Sequence, residues 1–364
     1  MSEDVAPPGA SAAGATTTAL VTGGAGFIGA NFTRRFLAAD PGHRVVVLDT
    51  LTYAGNLRNL DSVRGDPRLT FIQGDICDRA TVARAMAGCQ WVLNFAAETH
   101  VDRSILDPGA FVRTDVLGAY TLLEVAREQG IARFIQISTD EVYGDAEAPD
   151  GASRPSHETD ALTPRSPYAA SKAGADRLAF SYWATYGLPV VITRCSNNYG
   201  PYQYPEKQLP LFIVNALADR PLPIYGAGAN TRDWIHVEDH CHALELLLAA
   251  PGEVVHGEVF NIGTGEERSV VANAEAILTL LGKPQTLIRF TPDRLGHVRR
   301  HAVDATKLRE RLGWRPQTAF ERGLAETIAW YRANGEWVAD ILARQDAFLR
   351  DALALAETAP PQDL

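Results

Sequence analysis

The sequence predicts an α/β fold, a Rossmann-type doubly wound parallel sheet with a smaller C-terminal substrate-binding lobe. Three observations lead there. Short apolar runs recur along the first half of the chain without polar alternation, as in strands covered on both faces. Helical stretches separate these runs, and such alternation builds a parallel sheet with right-handed crossovers. A glycine-rich turn joins the first run to the first helix.

Taken in order, residues 1–17 hold small residues and prolines with no apolar period, and are expected to form a disordered tail. Thr18–Thr22 is the first strand and stops at glycines. Phe27–Ala39 has helical spacing, and Arg44–Asp49 (RVVVLD) is a β-branched strand. Leu69–Gln73, Trp91–Ala97, Arg133–Ser138 and Pro189–Thr193 repeat the strand pattern, with helices expected over 79–87, 111–129 and 168–186. The Rossmann domain is therefore placed at 18–195 and is expected to receive part of 232–265. From 196 the alternation weakens, and Pro201, Pro205, Pro210, Pro221 and Pro223 punctuate the chain. A less regular lobe is expected over 196–352, closing with a helix near 320–352, and a second tail over 353–364.

Composition bounds the function. The 364 residues suffice for two domains, or one large domain with a lobe, and can bury a core without staples. A hydrophobic fraction of 46% and a charged fraction of 21% exclude a disordered or fibrous bulk. Lys+Arg 34 against Asp+Glu 44 gives a net charge of −10 with no basic run, which argues against nucleic-acid and membrane-surface partners. Cys77, Cys89, Cys195 and Cys241 lie far apart with no C-x-x-C pair. Neither a metal site nor a disulfide framework is expected, and a reducing cytoplasmic location fits. The N-terminus carries no leader pattern, and the longest apolar stretch, near 243–250, is far short of the roughly 20 residues of a membrane helix.

Gly23, Gly26 and Gly29 give a tight turn, close backbone approach to phosphate and close helix–strand packing. The helix start then offers free N–H groups and its positive dipole end to a pyrophosphate. Asp49 ends the next strand 20 residues after Gly29. A carboxylate there accepts bonds from the adenosine ribose hydroxyls and repels a 2′-phosphate, which favours NAD as cofactor over NADP. Asp75, at the end of the third strand, can meet the adenine edge or cap the helix that follows Ile76.

Thr139, Asp140 and Glu141 follow the strand RFIQIS, at the strand end where open parallel sheets bind ligands. Two adjacent carboxyl groups invite divided roles, one kept protonated as an acid and the other ionised as a base. Tyr168 and Lys172 lie four apart on a helical stretch and project from one face. The ammonium is expected to favour phenolate and make Tyr168 a base near neutral pH.

The strings TGGAGFIG, FAAETHVDRS, STDEVYG, YAASK, RCSNNYGP, EK-x-x-PL, PIYG and RDWIHVEDH occur in this order. Together they resemble the extended short-chain dehydrogenase/reductase family, and within it the nucleotide-sugar 4,6-dehydratases, over residues 18–335. The resemblance implies conversion of dTDP-glucose to dTDP-4-keto-6-deoxyglucose with tightly held NAD. It gives Tyr168 the proton of the sugar 4-hydroxyl, Lys172 the nicotinamide ribose and Thr139 a place near the sugar 4-oxygen. Glu141 removes the C5 proton and Asp140 protonates the departing 6-hydroxyl. Phe27, Ile28, Thr52, Asp75, Ile76, Phe95, Ala96, Ala97, Thr99 and Thr114 join the glycines around the cofactor, and Thr99 also approaches the sugar. Asn197, Lys207, Gln208, Pro223, Tyr225, Arg232, Arg294 and His297 are implied to hold the nucleotide, and no residue a metal. His100, Asp102 and Arg103 are either site residues or a structural cluster. The helix pair 111–129 and 168–186 implies a homodimer.

Departures from the family pattern fall at Gln208, Val270, Leu295, Val298 and His301, which face the nucleotide and leave its base open. The acidic pair separates dehydration from the related alternatives, a 4-epimerase or a decarboxylase. A non-catalytic NAD-binding protein is disfavoured by the intact Thr139, Tyr168 and Lys172 set.

Overall fold

The computed structural model describes residues 16–146, 153–293 and 297–344. The expected tails lie outside these residues, except that Thr17 already opens the first strand. The first half alternates as β1 (Thr17–Thr22), α1 (Phe27–Ala39), β2 (His43–Asp49), β3 (Leu69–Gln73), α2 (Arg79–Met86) and β4 (Trp91–Asn94). Short helices α3 (Val101–Leu106) and α4 (Pro108–Phe111) follow, then α5 (Ala119–Gln129), β5 (Arg133–Thr139), α6 (Pro167–Tyr186) and β6 (Val190–Cys195).

The second half begins with β7 (Asn197–Tyr199), α7 (Gln208–Leu217), β8 (Leu222–Tyr225), β9 (Thr231–His236) and α8 (Val237–Ala249). It continues through α9 (Gly252–Val255), β10 (Val259–Ile262), β11 (Glu267–Ser269), α10 (Val270–Leu281) and β12 (Ile288–Thr291) to β13 (Arg300–His301), α11 (Thr306–Leu312) and α12 (Phe320–Ala333).

Seven parallel strands form the main sheet in the order β10-β6-β5-β4-β1-β2-β3. The order reverses between β1 and β4, the switch point at which such sheets open a ligand crevice. Strand β10 comes from the second half and pairs with β6, with Ile262 beside Cys195. Two apolar clusters cover the faces of this sheet. One holds Phe32, Phe36, Val45, Ile135 and Leu244; the other holds Leu20, Val92, Leu122, Phe134 and Val190. Because both faces are covered, all seven residues of β5 are buried. A third cluster around Phe212, Trp234, Phe320 and Trp337 builds the lobe, with a small sheet of β7, β9, β11 and β13 and a β8–β12 pair.

Three boundaries differ from the sequence reading. The strand expected over 91–97 ends at Asn94, because the chain there leaves the sheet to line the crevice. The helix expected over 111–129 is α-helical only from Ala119; residues Val112–Gly118 form π-helical turns, which recur at functional sites. The helix expected near 320–352 breaks at Asn334, whose backbone N–H bonds Trp330, and helical backbone resumes over 335–344.

Candidate active site

One cleft lies across the carboxyl ends of the central strands. Its floor is the turn after β1. Gly23 has φ +65 and lies so close to the chain after β4 that a Cβ would stand 2.7 Å from the Ala96 nitrogen. A Cβ on Gly29 would stand 2.5 Å from the Gly23 carbonyl oxygen, so α1 can start this close only without one. Asp49 is buried at the end of β2, its Oδ2 accepting from Ala25 N at 3.0 Å and its Oδ1 from Leu51 N at 2.8 Å. The carboxylate thus braces the glycine turn. Burial nevertheless raises its pKa, the two amide bonds only partly opposing that.

Gly23, Gly26, Phe27, Ile28, Gly29, Asp49, Thr52, Asp75, Ile76, Phe95, Ala96, Ala97, Thr99 and Thr114 all line this cleft. A helix start open to an anion, a carboxylate at the second strand and a slot where a Cβ would not fit are the features a dinucleotide requires. Asp75 accepts from Cys77 N and pairs with Arg113, while the cap of α2 is Asp78, so the capping alternative for Asp75 does not hold.

Thr139, Asp140, Glu141, Tyr168 and Lys172 line the same cleft. The turn bearing the acids is fixed from behind. Tyr143 Oη donates to Asn261 Oδ1 at 2.8 Å and accepts from the buried Arg194 guanidinium at 2.7 Å, and Asp176 accepts from Arg194 at 2.8 and 3.1 Å. Thr139 Oγ1 donates to Asp140 Oδ1 at 3.2 Å and accepts from Glu141 N at 3.3 Å. Burial, then the neighbouring Glu141, push the Asp140 carboxyl up to about 8; Arg232 pulls the other way. The shift favours the protonated carboxyl near neutral pH. Its buried Oδ2 has no hydrogen-bond partner among the described residues.

Helix α6 starts with Ser166 Oγ accepting from Ala169 N and with Pro167 in the first turn, which is how this segment commits to helix just before Tyr168. Lys172 Nζ donates to Ile137 O at 2.6 Å from a buried position, and burial lowers its pKa. The expected lowering of the Tyr168 phenol is not what the chain's own groups produce. Burial raises it well above the ordinary value, and Glu141, Asp115, Cys195 and Asp140 add to the rise.

Of the residues expected around the nucleotide, Asn197 and Lys207 line the cleft; Gln208, Pro223, Tyr225, Arg232 and His297 do not, and Arg294 lies outside the described residues. Arg232 is implied by the resemblance to hold the nucleotide. It is buried, but it donates to the carbonyls of Thr231 and Arg299 and, at 3.0 Å, Val298. His297 meets Asp293 at 2.6 Å and lies edge-on to Tyr225. Lys207 donates to Thr99 O, which ties α7 to the loop after β4. His100, Asp102 and Arg103 do not line the cleft: His100 lies 3.8 Å from Asp102, and Arg103 pairs with Glu206 at 3.1 Å and lies 3.8 Å over the Tyr53 ring.

The cleft also recruits residues that the sequence reading passed over, among them Gly55, Glu98, Cys195, Asn198, Gln203 and Tyr204. The string RCSNNYGP was a legible pointer to Cys195 and Asn198. Gln203 and Tyr204 sit in an irregular loop that carries no periodic signal.

The fold and this cleft define a dinucleotide-binding protein of the short-chain dehydrogenase/reductase type. The chain belongs to the GDP-mannose 4,6 dehydratase family, whose model matches residues 20–327. It is 48% identical to the dTDP-glucose 4,6-dehydratase of an Actinoplanes species, over 87% of this chain and 98% of that protein. The crystal structure of DesIV, a dTDP-glucose 4,6-dehydratase from Streptomyces venezuelae with NAD and TYD bound, superposes with a TM-score of 0.85. That match has 48% identity and covers 89% of this chain and 100% of the other. A Bacillus anthracis dTDP-glucose 4,6-dehydratase in complex with NAD matches with a TM-score of 0.82 at 42% identity, over 90% and 100% of the two chains.

Proposed function

We propose that this chain converts dTDP-glucose to dTDP-4-keto-6-deoxyglucose by a dehydration that uses NAD without consuming it. The observation that carries this reading is two adjacent acids at one strand end: Asp140, buried and with its carboxyl pushed up to about 8, lies with Glu141 in the cleft that also contains Tyr168 and Lys172. A 4-epimerase or decarboxylase of the same fold has no need of such a pair.

NAD held by the glycine turn, Asp49 and Lys172 would supply reversible hydride chemistry and a cationic ring that offsets the carboxyl groups around Tyr168. The protein's residues then divide the proton work. Tyr168 takes the 4-hydroxyl proton while Thr139 steadies that oxygen. The 4-ketone so formed acidifies C5–H. Glu141 removes that proton, and the Asp140 carboxyl, whose Oδ2 has no hydrogen-bond partner among the described residues, gives its own to the 6-hydroxyl, which leaves as water. Asp49 and the glycine turn hold the adenosine end. Asn197 and Lys207 supply donors for the sugar nucleotide, and the less regular second half completes its site.

The division proposed is a Rossmann domain over 18–195 with β10 added, and a nucleotide-sugar lobe over 196–352. Among the described residues, no helix is long and apolar enough to cross a membrane; a cytoplasmic location is proposed from the cysteine usage. Val112, Leu117, Tyr120, Trp183 and Tyr186 are exposed apolar residues along the π-helical turns, α5 and α6. They support a homodimer through these helices, and a monomeric mass by light scattering at micromolar concentration refutes it.

The direct test is incubation with dTDP-, UDP-, GDP- and CDP-glucose. A 4-keto-6-deoxy product from the dTDP sugar is expected. An epimer, or a product only from another nucleotide, overturns the reading or its base.

A further inference from the structure

The loop after β2 forms part of the dinucleotide cleft, where Thr50, Thr52, Ala54 and Gly55 line it. Gly55 lies so close to Asp49 that a Cβ would stand 2.7 Å from its Oδ1, so the loop folds back on the strand end. One turn of 3₁₀ helix, Leu57–Leu60, follows. From it Asn59, 2% exposed, donates through Nδ2 to Ala25 O in the glycine turn at 2.8 Å. Asn56 N donates to the same carbonyl at 3.0 Å, and Ala25 N is the group that donates to Asp49. The glycine turn, the carboxylate and the loop are thus one hydrogen-bonded unit.

The helical segment 335–344, from the other half of the molecule, docks on this unit. Trp337 is buried, and its Nε1 donates to Asn59 Oδ1 at 2.8 Å. Arg58 pairs with Asp340 and lies 3.9 Å from Glu336. Trp337 itself is seated among aromatic rings, edge-on to Trp330 at 4.9 Å and to Tyr202 at 6.2 Å. Asn59 therefore spends one half of its carboxamide on the glycine turn and the other on Trp337. Taking away the indole N–H leaves a buried oxygen unpaired on the very group that holds Ala25. A second link runs parallel to the first: Tyr331 Oη donates to Gln203 O, and Gln203 and Tyr204 line the cleft. Tyr204 meets Tyr53, in the loop after β2, edge-on at 5.7 Å.

We propose that segment 335–344 is a strap on the loop after β2, with Trp337 and Asn59 as positioning residues that keep this loop closed on the dinucleotide and so hold NAD in place between turnovers. This rests on the reading that NAD is not consumed, which lets one bound molecule serve many turnovers. The loop must lift for NAD to leave, and lifting it breaks the Trp337–Asn59 bond and the Arg58–Asp340 pair.

The test is the rate at which NAD-loaded protein exchanges its cofactor for radiolabelled NAD, with no sugar nucleotide present. Trp337→Phe keeps an aromatic ring and removes the N–H. It is expected to exchange NAD about tenfold faster, with product formation at saturating NAD within about twofold of wild type. Arg58→Glu sets like charges against Asp340 and Glu336 at the surface, and is expected to speed exchange about threefold; adding Asp340→Arg is expected to restore it. Ile328→Val trims the same apolar cluster of the lobe without touching these hydrogen bonds, and is expected to lower thermal stability while exchange stays at the wild-type rate. Wild-type exchange in Trp337→Phe, or in Arg58→Glu should the first variant not fold, overturns the proposal. So does an equal acceleration in Ile328→Val, because any loss of lobe packing would then suffice. Reduced nicotinamide that builds up in step with product overturns instead the reading beneath it.

Discussion

The strand–helix half and the lobe of this molecule use their residues differently. Between Gly23 and Lys172, the residues expected at the cofactor and the reacting sugar line one cleft. From the lobe, Asn197 and Lys207 join them, while Gln208, Pro223, Tyr225, Arg232 and His297 lie outside its lining. In the first half the site is made by backbone and by strand ends. A glycine turn and a strand terminus have positions fixed by local sequence, because the sheet's register leaves them no alternative. In the lobe the site depends on side chains from short strands, helix α7 and loops, and tertiary packing decides where those point. Arg232 illustrates it: the guanidinium is buried, and carbonyls of residues 231, 298 and 299 take its N–H groups.

The comparison predicts that the largest losses come from the first half. Tyr168→Phe is expected to lower formation of the 4-keto product by about 10³-fold, with thermal stability near wild type. Glu141→Gln is expected to lose about 10²-fold in product while C4 oxidation survives, so that reduced nicotinamide accumulates. Single-turnover absorbance separates the two. Loss of both steps in Glu141→Gln contradicts its role as the C5 base.

Much of this was legible before any coordinates. The glycine turn, the Asp49 strand end, the acidic pair and the Tyr168–Lys172 spacing each carry a local mechanism that sequence alone displays. The π-helical turns were not legible, because Val112–Gly118 reads as ordinary helix. Nor was the rise of the Tyr168 phenol, since Asp115, Asp140 and Glu141 converge on it only in three dimensions. The break at Asn334 was hidden by apolar residues on both sides, Trp330 and Trp337, which the fold buries in one cluster.

A stability measurement sharpens the contrast between a functional and a structural carboxyl. Asp140 is raised from about 3.8 unfolded to about 8 folded, first by burial and then by Glu141. The folded chain keeps a proton that the unfolded chain gives up, so its contribution to stability is complete below the unfolded value and is lost as pH rises toward 8. Asp140→Asn removes this slope. Chemical denaturation at pH 5 and pH 8 is expected to show the variant gaining on wild type at the higher pH while product formation falls. An equal difference at both values means that Asp140 is ionised in the fold and cannot be the acid.

The smallest expected effect crosses from one region to the other. Arg232 sits in the lobe, yet its charge lowers the Asp140 pKa. Between two buried groups such a field is worth on the order of one pH unit. Arg232→Gln is therefore expected to move the alkaline limb of water elimination upward by about that much, because the acid keeps its proton longer. KM for the sugar nucleotide should change by no more than about threefold if the guanidinium only braces carbonyls. A tenfold rise in KM with the limb unmoved reverses the comparison: the lobe then contributes contacts to substrate, and Arg232 turns toward the cleft when the nucleotide arrives.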